Sequence, residues 1–135
     1  MTIHLLIVDD SKLIRTSLRA LLGSGDGIAS IREASTLSEA MASVGAEPPA
    51  LVILDMSLPD GLGMDIIKPL KQLAPAVLIA VFTIDANPIV RQVCLALGAD
   101  WFFEKATDTD ALVEVVRQLA ELKPFFHSKQ DALRT

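Results

Sequence analysis

Five short runs of β-branched and other apolar residues alternate along this chain with amphipathic segments, and this alternation constrains the fold more than any other feature. Continuous apolar runs indicate strands that are buried on both faces, as in a parallel sheet whose crossover connections are helices. The sequence therefore predicts an α/β domain, a doubly wound five-stranded parallel sheet with helices on both faces. The predicted strands are 3–8, 28–34, 50–54, 77–82 and 101–104.

Capping signals mark the helices that should lie between these strands. Thr36 and Glu39 have the spacing of a capping box, and Pro88 stands where a first helical residue is expected. Pro69 removes one backbone hydrogen bond from the third predicted helix, so we expect a kink there. The helices are predicted at about 11–22, 36–44, 62–73, 87–97 and 108–122.

Length, charge and cysteine content restrict the class of protein. The chain has 135 residues and a net charge of −5, which fits one compact domain that does not itself bind nucleic acid. Its single cysteine, Cys94, requires no oxidising compartment. The longest apolar stretch, 74–83, is about half the length of a membrane span. We expect a cytoplasmic domain over residues 1–122, with 123–135 as a C-terminal tail or the start of a linker.

Polar residues stand at the ends of four predicted strands. Asp9 and Asp10 follow the first strand, Asp55 the third, Thr83 the fourth and Lys105 the fifth. Ligands of open α/β sheets bind beyond the carboxyl ends of the strands, so these side chains should converge on one pocket. Each residue alone is more often a cap, a turn residue or a surface residue, and the prediction depends on their joint arrangement.

The chemistry of this set points to phosphoryl transfer. Three converging carboxylates need a cation or a shared proton at neutral pH, and oxygen ligands with room for water suit Mg²⁺. Lys105 could bind phosphate oxygens, and the hydroxyl of Thr83 could donate to another. A carboxylate flanked by a metal and a lysine can accept a phosphoryl group as an acyl phosphate, and Asp55 is our candidate.

These segments resemble the receiver domain of bacterial two-component response regulators. The resemblance runs from about residue 2 to residue 122 and is carried by LIVDDS at 6–11, VILDMSLPDG at 52–61, VFT at 81–83 and GADWFFEK at 98–105. It implies the flavodoxin-like strand order 2-1-3-4-5. It also implies a phosphoacceptor switch in a phosphorelay, with no enzymatic turnover beyond its own phosphoryl transfer and slow dephosphorylation.

The resemblance also implies a role for each site residue. Asp55 would take a phosphoryl group from a histidine kinase or a phosphotransfer protein. Mg²⁺ would be held by Asp10, Asp55 and the backbone carbonyl of Ser57, with Asp9 acting through water.

Signal output is implied in the same way. Thr83 and Lys105 would contact the phosphoryl group, and Phe102 would occupy the switch aromatic position. Switching would then repack the face formed by the fourth helix, the fifth strand and the fifth helix, where a downstream protein partner or a second copy of the chain would bind.

Three positions depart from the family pattern. Ala106 follows Lys105 where proline is usual, so we expect no cis bond there. Ile84 is bulky where a small residue is usual, and we expect it to lie over the mouth of the site. Phe102 replaces the common tyrosine, so its ring could turn inward without needing a polar partner.

Other functions remain as alternatives. Within the fold, the chain could be a scaffold that signals without phosphorylation, or the N-terminal receiver of a longer DNA-binding regulator. A flavodoxin-like electron carrier would need a phosphate loop where Asp9 and Asp10 stand. A haloacid-dehalogenase-like phosphatase would need a second aspartate where Ser57 stands.

Overall fold

The structure, a computed structural model, describes residues 2–23, 26–85 and 87–134, with side chains as far as residue 121. Its secondary structure elements follow one another along the chain with short connections. They are β1 (Ile3–Val8), α1 (Lys12–Leu22), β2 (Ile28–Ala34), α2 (Leu37–Ala46), β3 (Leu51–Leu54), β4 (Ser57–Leu58), β5 (Gly61–Leu62), α3 (Met64–Leu73), β6 (Leu78–Thr83), α4 (Pro88–Leu97), β7 (Trp101–Glu104) and α5 (Thr109–Arg134).

Five strands form one parallel sheet in the order β2-β1-β3-β6-β7. This is the predicted order 2-1-3-4-5 once the short antiparallel pair β4–β5 is left out, so the predicted fold class is confirmed. The hairpin β4–β5 was not predicted, because two-residue strands carry no hydrophobic periodicity. All four residues of the central strand β3 are buried, as the apolar run predicted.

Alternate residues of the strands pack into two separate cores. Leu6 and Val8 face a core that also contains residues of α2, α3 and α4. Leu5 and Ile7 face the other core, to which α1 and α5 contribute. Because side chains alternate across a strand, one apolar run serves both layers, and the helices lie on both faces of the sheet as predicted.

The helix boundaries agree with the capping signals with small shifts. Ser11 caps α1, its Oγ accepting from the Ile14 amide at 3.3 Å, and Thr36 caps α2, its Oγ1 accepting from the Glu39 amide at 3.0 Å. α3 begins at Met64, two residues later than predicted, because residues 61–62 form β5.

The last helix is longer than the periodicity indicated. Helical backbone continues to Arg134, into the segment 123–135 that we assigned to a tail or linker. The side chains of that segment lie outside the described residues. The end of the domain near residue 122 therefore stays a prediction. Among the described residues, no helix combines the length and the apolar character needed to span a bilayer.

Candidate functional site

Strand pairing brings the ends of β1 and β3 to one level at the carboxyl edge of the sheet. Val8 pairs with Leu54, and the Asp55 amide donates to the carbonyl of Val8 at 3.0 Å. The residues that follow, Asp9 and Asp55, are therefore neighbours although 46 positions separate them. The parallel direction of the strands is the physical reason that a sequence pattern could predict this meeting.

Three carboxylates meet at this edge. Each of Asp9, Asp10 and Asp55 offers one oxygen that lies within 4.8 Å of the others. Asp9 and Asp55 are buried, with 2% and 7% of their surfaces exposed, whereas Asp10 is exposed. An oxygen-only cluster that is buried on one side and open to water on the other fits a hard divalent cation.

Lys105 supplies the positive charge of the site. Its ammonium lies 2.7 Å from Oδ2 of Asp9 and 3.2 Å from Oδ2 of Asp55. Its backbone amide donates to the carbonyl of Thr83 at 2.8 Å, which fixes the end of β7 against the end of β6. The ammonium also lies 6.0 Å from the ring centroid of Phe82, at the limit of a cation–π contact.

The electrostatics of the cluster favour binding of a further cation. Burial raises the pKa of the Asp55 carboxyl. The positive charge of Lys105 lowers that pKa and the negative charge of Asp9 raises it, and the net effect is a raised pKa. Burial would lower the pKa of Lys105, but the hydrogen bond to Asp9 and the charge of Asp55 raise it overall, so the ammonium stays charged. One ammonium cannot neutralise three carboxylates, and excess negative charge remains.

Thr83 ends β6 as a buried residue beside this cluster. Its Oγ1 accepts a hydrogen bond from the Asp85 amide at 3.2 Å. A hydroxyl that accepts one bond still has its own hydrogen to donate. Within the described residues, the hydroxyl of Thr83 has no acceptor for this hydrogen.

The ring of Phe102 is already buried, in the core that it shares with α4. Arg91 on α4 donates to the carbonyl of Phe102 at 3.2 Å, and its guanidinium lies 5.8 Å from the ring centroid. Because the ring is already buried, little space remains for the further inward turn that we expected on switching. Ile84 is 81% exposed, so its side chain packs little against the described residues, and the expectation that it covers the mouth of the site stays a prediction.

The hairpin that follows Asp55 is attached to a neighbouring helix. Both carboxylate oxygens of Asp60 accept from the N-terminus of α2, from the Leu37 amide at 2.8 Å and the Ser38 amide at 3.1 Å. The Leu37 amide bond lowers the pKa of Asp60 most. Ser57, the predicted carbonyl ligand, opens this hairpin as the first residue of β4.

Gly63 is a site residue that our reading of the sequence missed. A Cβ at this position would lie 1.9 Å from the backbone oxygen of Asp55, so only glycine lets α3 start this close to the acidic cluster. Its φ of −55° is open to any residue, and the requirement is one of space. One signal in the sequence could have pointed to Gly63: the residue immediately before α3 is not Ser, Thr, Asp or Asn, the usual helix-capping residues.

Comparison with known proteins gives a consistent result. A family model described as the response regulator receiver domain matches residues 5–117. The transcriptional activator protein ExaE of Pseudomonas putida is 35% identical over 85% of this chain and 54% of its own length. The chain spans about half the length of the curated relatives it matches.

Solved structures are similar over nearly the whole chain. A CheY-like receiver domain protein from Methanospirillum hungatei JF-1 is 26% identical, with a TM-score of 0.80 over 90% of this chain and 95% of that one. A response regulator from Burkholderia pseudomallei, solved with a phosphorylated aspartic acid, a calcium ion and citrate, is 25% identical. Its TM-score is 0.76 over 98% of this chain and 74% of its own.

Proposed function

This chain belongs to the response regulator receiver domain family, and from that premise we propose that its acidic site accepts a phosphoryl group on the carboxylate of Asp55. One observation carries the proposal: Asp55 directly follows the central strand, with the Lys105 ammonium 3.2 Å away and the carboxylates of Asp9 and Asp10 beside it. The phosphorylated aspartic acid of the Burkholderia protein gives further support.

Asp55 would act as a nucleophile. A carboxylate oxygen of Asp55 forms a bond to phosphorus while the bond from phosphorus to the donor breaks, and the donor atom leaves with the electron pair. Lys105, held between Asp9 and Asp55, would balance the charge that accumulates on the phosphoryl oxygens. The hydroxyl of Thr83 would donate to one of those oxygens.

Mg²⁺ would be held by Asp10, Asp55 and the backbone carbonyl of Ser57, with Asp9 reached through water. The hydrogen bonds support this division, since both carboxylate oxygens of Asp9 are engaged, by the Ser11 amide at 2.8 Å and by Lys105 at 2.7 Å. No such bond to the carboxylate of Asp10 is found within the described part of the chain. When bound, Mg²⁺ would supply charge stabilisation to the transferring phosphoryl group.

A direct labelling experiment tests the proposal. Incubated with MgCl₂ and a small acyl phosphate, the protein should gain one phosphoryl group, detected by intact mass spectrometry and removed by mild base. Excess EDTA should prevent the gain, because the excess negative charge of the site then repels the donor. The absence of any gain with Mg²⁺, or an equal gain in EDTA, would contradict the proposal.

We expect Asp10→Ala to weaken Mg²⁺ binding about tenfold or more, as loss of a direct ligand should, and Asp9→Ala to weaken it less. The reason is that both oxygens of Asp9 already have protein partners whereas the carboxylate of Asp10 is exposed. Calorimetric titration of each variant with MgCl₂ measures the two affinities. Equal losses would contradict the proposed division of roles.

The output surface would be the face of α4, β7 and α5, where a downstream protein or a second copy of the chain binds. The phosphoryl group would draw the Thr83 hydroxyl toward it, and the strands β6 and β7 would carry that movement to α4. The Lys105–Thr83 backbone bond and the Arg91–Phe102 contacts support such a path, since they join these elements directly.

Thr83→Ala should leave phosphorylation of Asp55 largely intact but reduce phosphorylation-dependent association about tenfold. The reason is that the hydroxyl would sense the phosphoryl group once it is bound, whereas its transfer to Asp55 does not require the hydroxyl. Sedimentation of the phosphorylated protein, alone and with its partner, measures association. Thr83→Ser keeps the hydroxyl and is the matched control. Full phosphorylation-dependent association of Thr83→Ala would rule out this coupling.

The relatives support a proposal for the regulatory setting of this chain. ExaE is a transcriptional activator about twice as long as the matched segment, and we propose that this receiver is likewise part of a longer regulator, as the N-terminal receiver of a DNA-binding protein. A histidine kinase or a phosphotransfer protein would supply the phosphoryl group. A scaffold that signals without phosphorylation is less well supported, since the acidic residues, the lysine and the threonine all lie at the site.

A further inference from the structure

Arg15 is a partly buried arginine in the first turn of α1, the helix that follows the Asp9–Asp10 pair. Its Nη1 donates to the backbone oxygen of Asp9 at 2.6 Å, and its Nε donates to Glu33 Oε1 at 2.9 Å. Only 15% of its side chain is exposed. The guanidinium therefore ties the end of β1 to β2 from its position on α1.

Glu33 is itself fixed by a second arginine. Arg19 donates to Glu33 Oε2 from both Nε and Nη2, at 3.0 and 2.8 Å, and Nη2 also reaches the carbonyl of Ile31 at 2.7 Å. The hydrogen bond from Arg19 contributes most to lowering the pKa of Glu33, and Arg15 lowers it further. A charged and immobilised carboxylate is a firm anchor for the guanidinium of Arg15.

The carbonyl that Arg15 holds belongs to the peptide unit that joins Asp9 to Asp10. A peptide unit is planar, so fixing its oxygen also fixes the direction in which the Cα of Asp10 leaves it. Asp9 has other restraints, since its amide donates to Ala34 at 3.0 Å and its carboxylate bonds to Lys105. The exposed carboxylate of Asp10 has no comparable partner of its own within the described residues.

We propose that Arg15 is a positioning residue of the cation site, which sets the carboxylate of Asp10 by holding the Asp9–Asp10 peptide unit against Glu33. The inference rests on the proposed function, because it requires that Asp10 bind a divalent cation. Outer ligands of this kind orient the direct ligands of a metal, and their loss typically weakens metal binding by about 10- to 100-fold.

The sign of the effect separates positioning from simple electrostatics. Arg15 carries a positive charge near the cation site, so if only its charge mattered, its removal would strengthen Mg²⁺ binding. Positioning predicts the opposite, a weaker affinity. Arg19 offers a matched control, because it shares Glu33 and the helix α1 with Arg15 but bonds to Ile31 and not to Asp9.

The test compares Arg15→Met with Arg19→Met, which remove the donors while keeping most of each apolar stem. Calorimetric titration with MgCl₂ should give a dissociation constant about tenfold higher for Arg15→Met than for wild type. Arg19→Met should raise the dissociation constant clearly less than Arg15→Met does, since it removes one of the two arginines that fix Glu33 but leaves the bond from Arg15 to the Asp9 carbonyl in place. Urea unfolding in EDTA compares the stabilities of the two variants independently of metal.

Unchanged or tighter Mg²⁺ binding by Arg15→Met would overturn the inference, as would an equal loss in Arg19→Met. Should Arg15→Met fail to fold, Arg15→Lys decides, because it keeps the charge but lacks the planar fork that reaches two acceptors. Weaker binding by Arg15→Lys supports positioning, and equal or tighter binding overturns it. If wild type itself binds no Mg²⁺, the proposed cation site fails together with the inference.

Discussion

Asp55→Asn is expected to take up no phosphoryl group from a small acyl phosphate, under conditions in which wild type gains one. A carboxamide is not a nucleophile for phosphorus, and no other carboxylate is placed like Asp55 at the end of the central strand. Asp9, which also contacts Lys105, is 2% exposed and already accepts from the Ser11 amide. Intact mass spectrometry of both proteins after the same incubation measures the difference.

Asp60→Asn is the matched control for this loss. Asp60 lies in the β4–β5 hairpin, five residues downstream, but its carboxylate is used at the N-terminus of α2, where the single oxygen of an asparagine side chain can keep one of the two bonds. We expect this variant to be phosphorylated like wild type. Phosphorylation of Asp55→Asn, or its loss in Asp60→Asn at equal stability, would contradict the assignment of the acceptor.

Loss of labelling in Asp55→Asn should not reflect unfolding. Burial raises the pKa of the Asp55 carboxyl, which means that its charged form costs free energy in the folded state at neutral pH. Asparagine removes that cost, so in EDTA at pH 7 the variant should be more stable than wild type. The difference should shrink as the pH falls through the raised pKa, because the wild-type carboxyl then takes up its proton while folded.

Gly63→Ala should destabilise the domain by about 3 kcal/mol or more and strongly reduce phosphorylation. The added Cβ would stand 1.9 Å from the backbone oxygen of Asp55, an approach that real structures do not show, and backbone at both positions must shift. Overpacking of this kind typically costs about 1–3 kcal/mol, and a clash with backbone belongs at or beyond the upper end. Urea unfolding and acyl phosphate labelling measure the two effects.

Gly45→Ala makes the same chemical change where the structure has room. Gly45 lies within α2, and a Cβ there would meet only a methyl carbon of Leu73 at 3.6 Å, an ordinary contact. Because glycine is a poor helix former, this variant should be more stable than wild type by about 0.5–1 kcal/mol. A Gly63→Ala variant with wild-type stability would show that the start of α3 can move away from Asp55 without cost.

The sequence by itself determined the layers and the meeting of the polar residues. Burial on both faces makes each parallel strand a continuous apolar run, which is visible without any tertiary information. Parallel strands also all point the same way. Residues directly after them, such as Asp9, Asp55 and Lys105, must therefore reach one edge of the sheet, and their convergence follows from position along the chain alone.

Only the tertiary structure decided how closely these groups approach one another and what supports them. Three features depend on how separate segments pack or on the conformation of a loop. They are the close approach of Gly63 to the Asp55 carbonyl, the bond from Arg15 to the Asp9 carbonyl and the burial of the Phe102 ring. Hydrophobic periodicity reports which face of a segment is buried, but it carries no information about distances between loops. Those distances depend on strand register and helix packing, and so they appear only when the whole chain is folded.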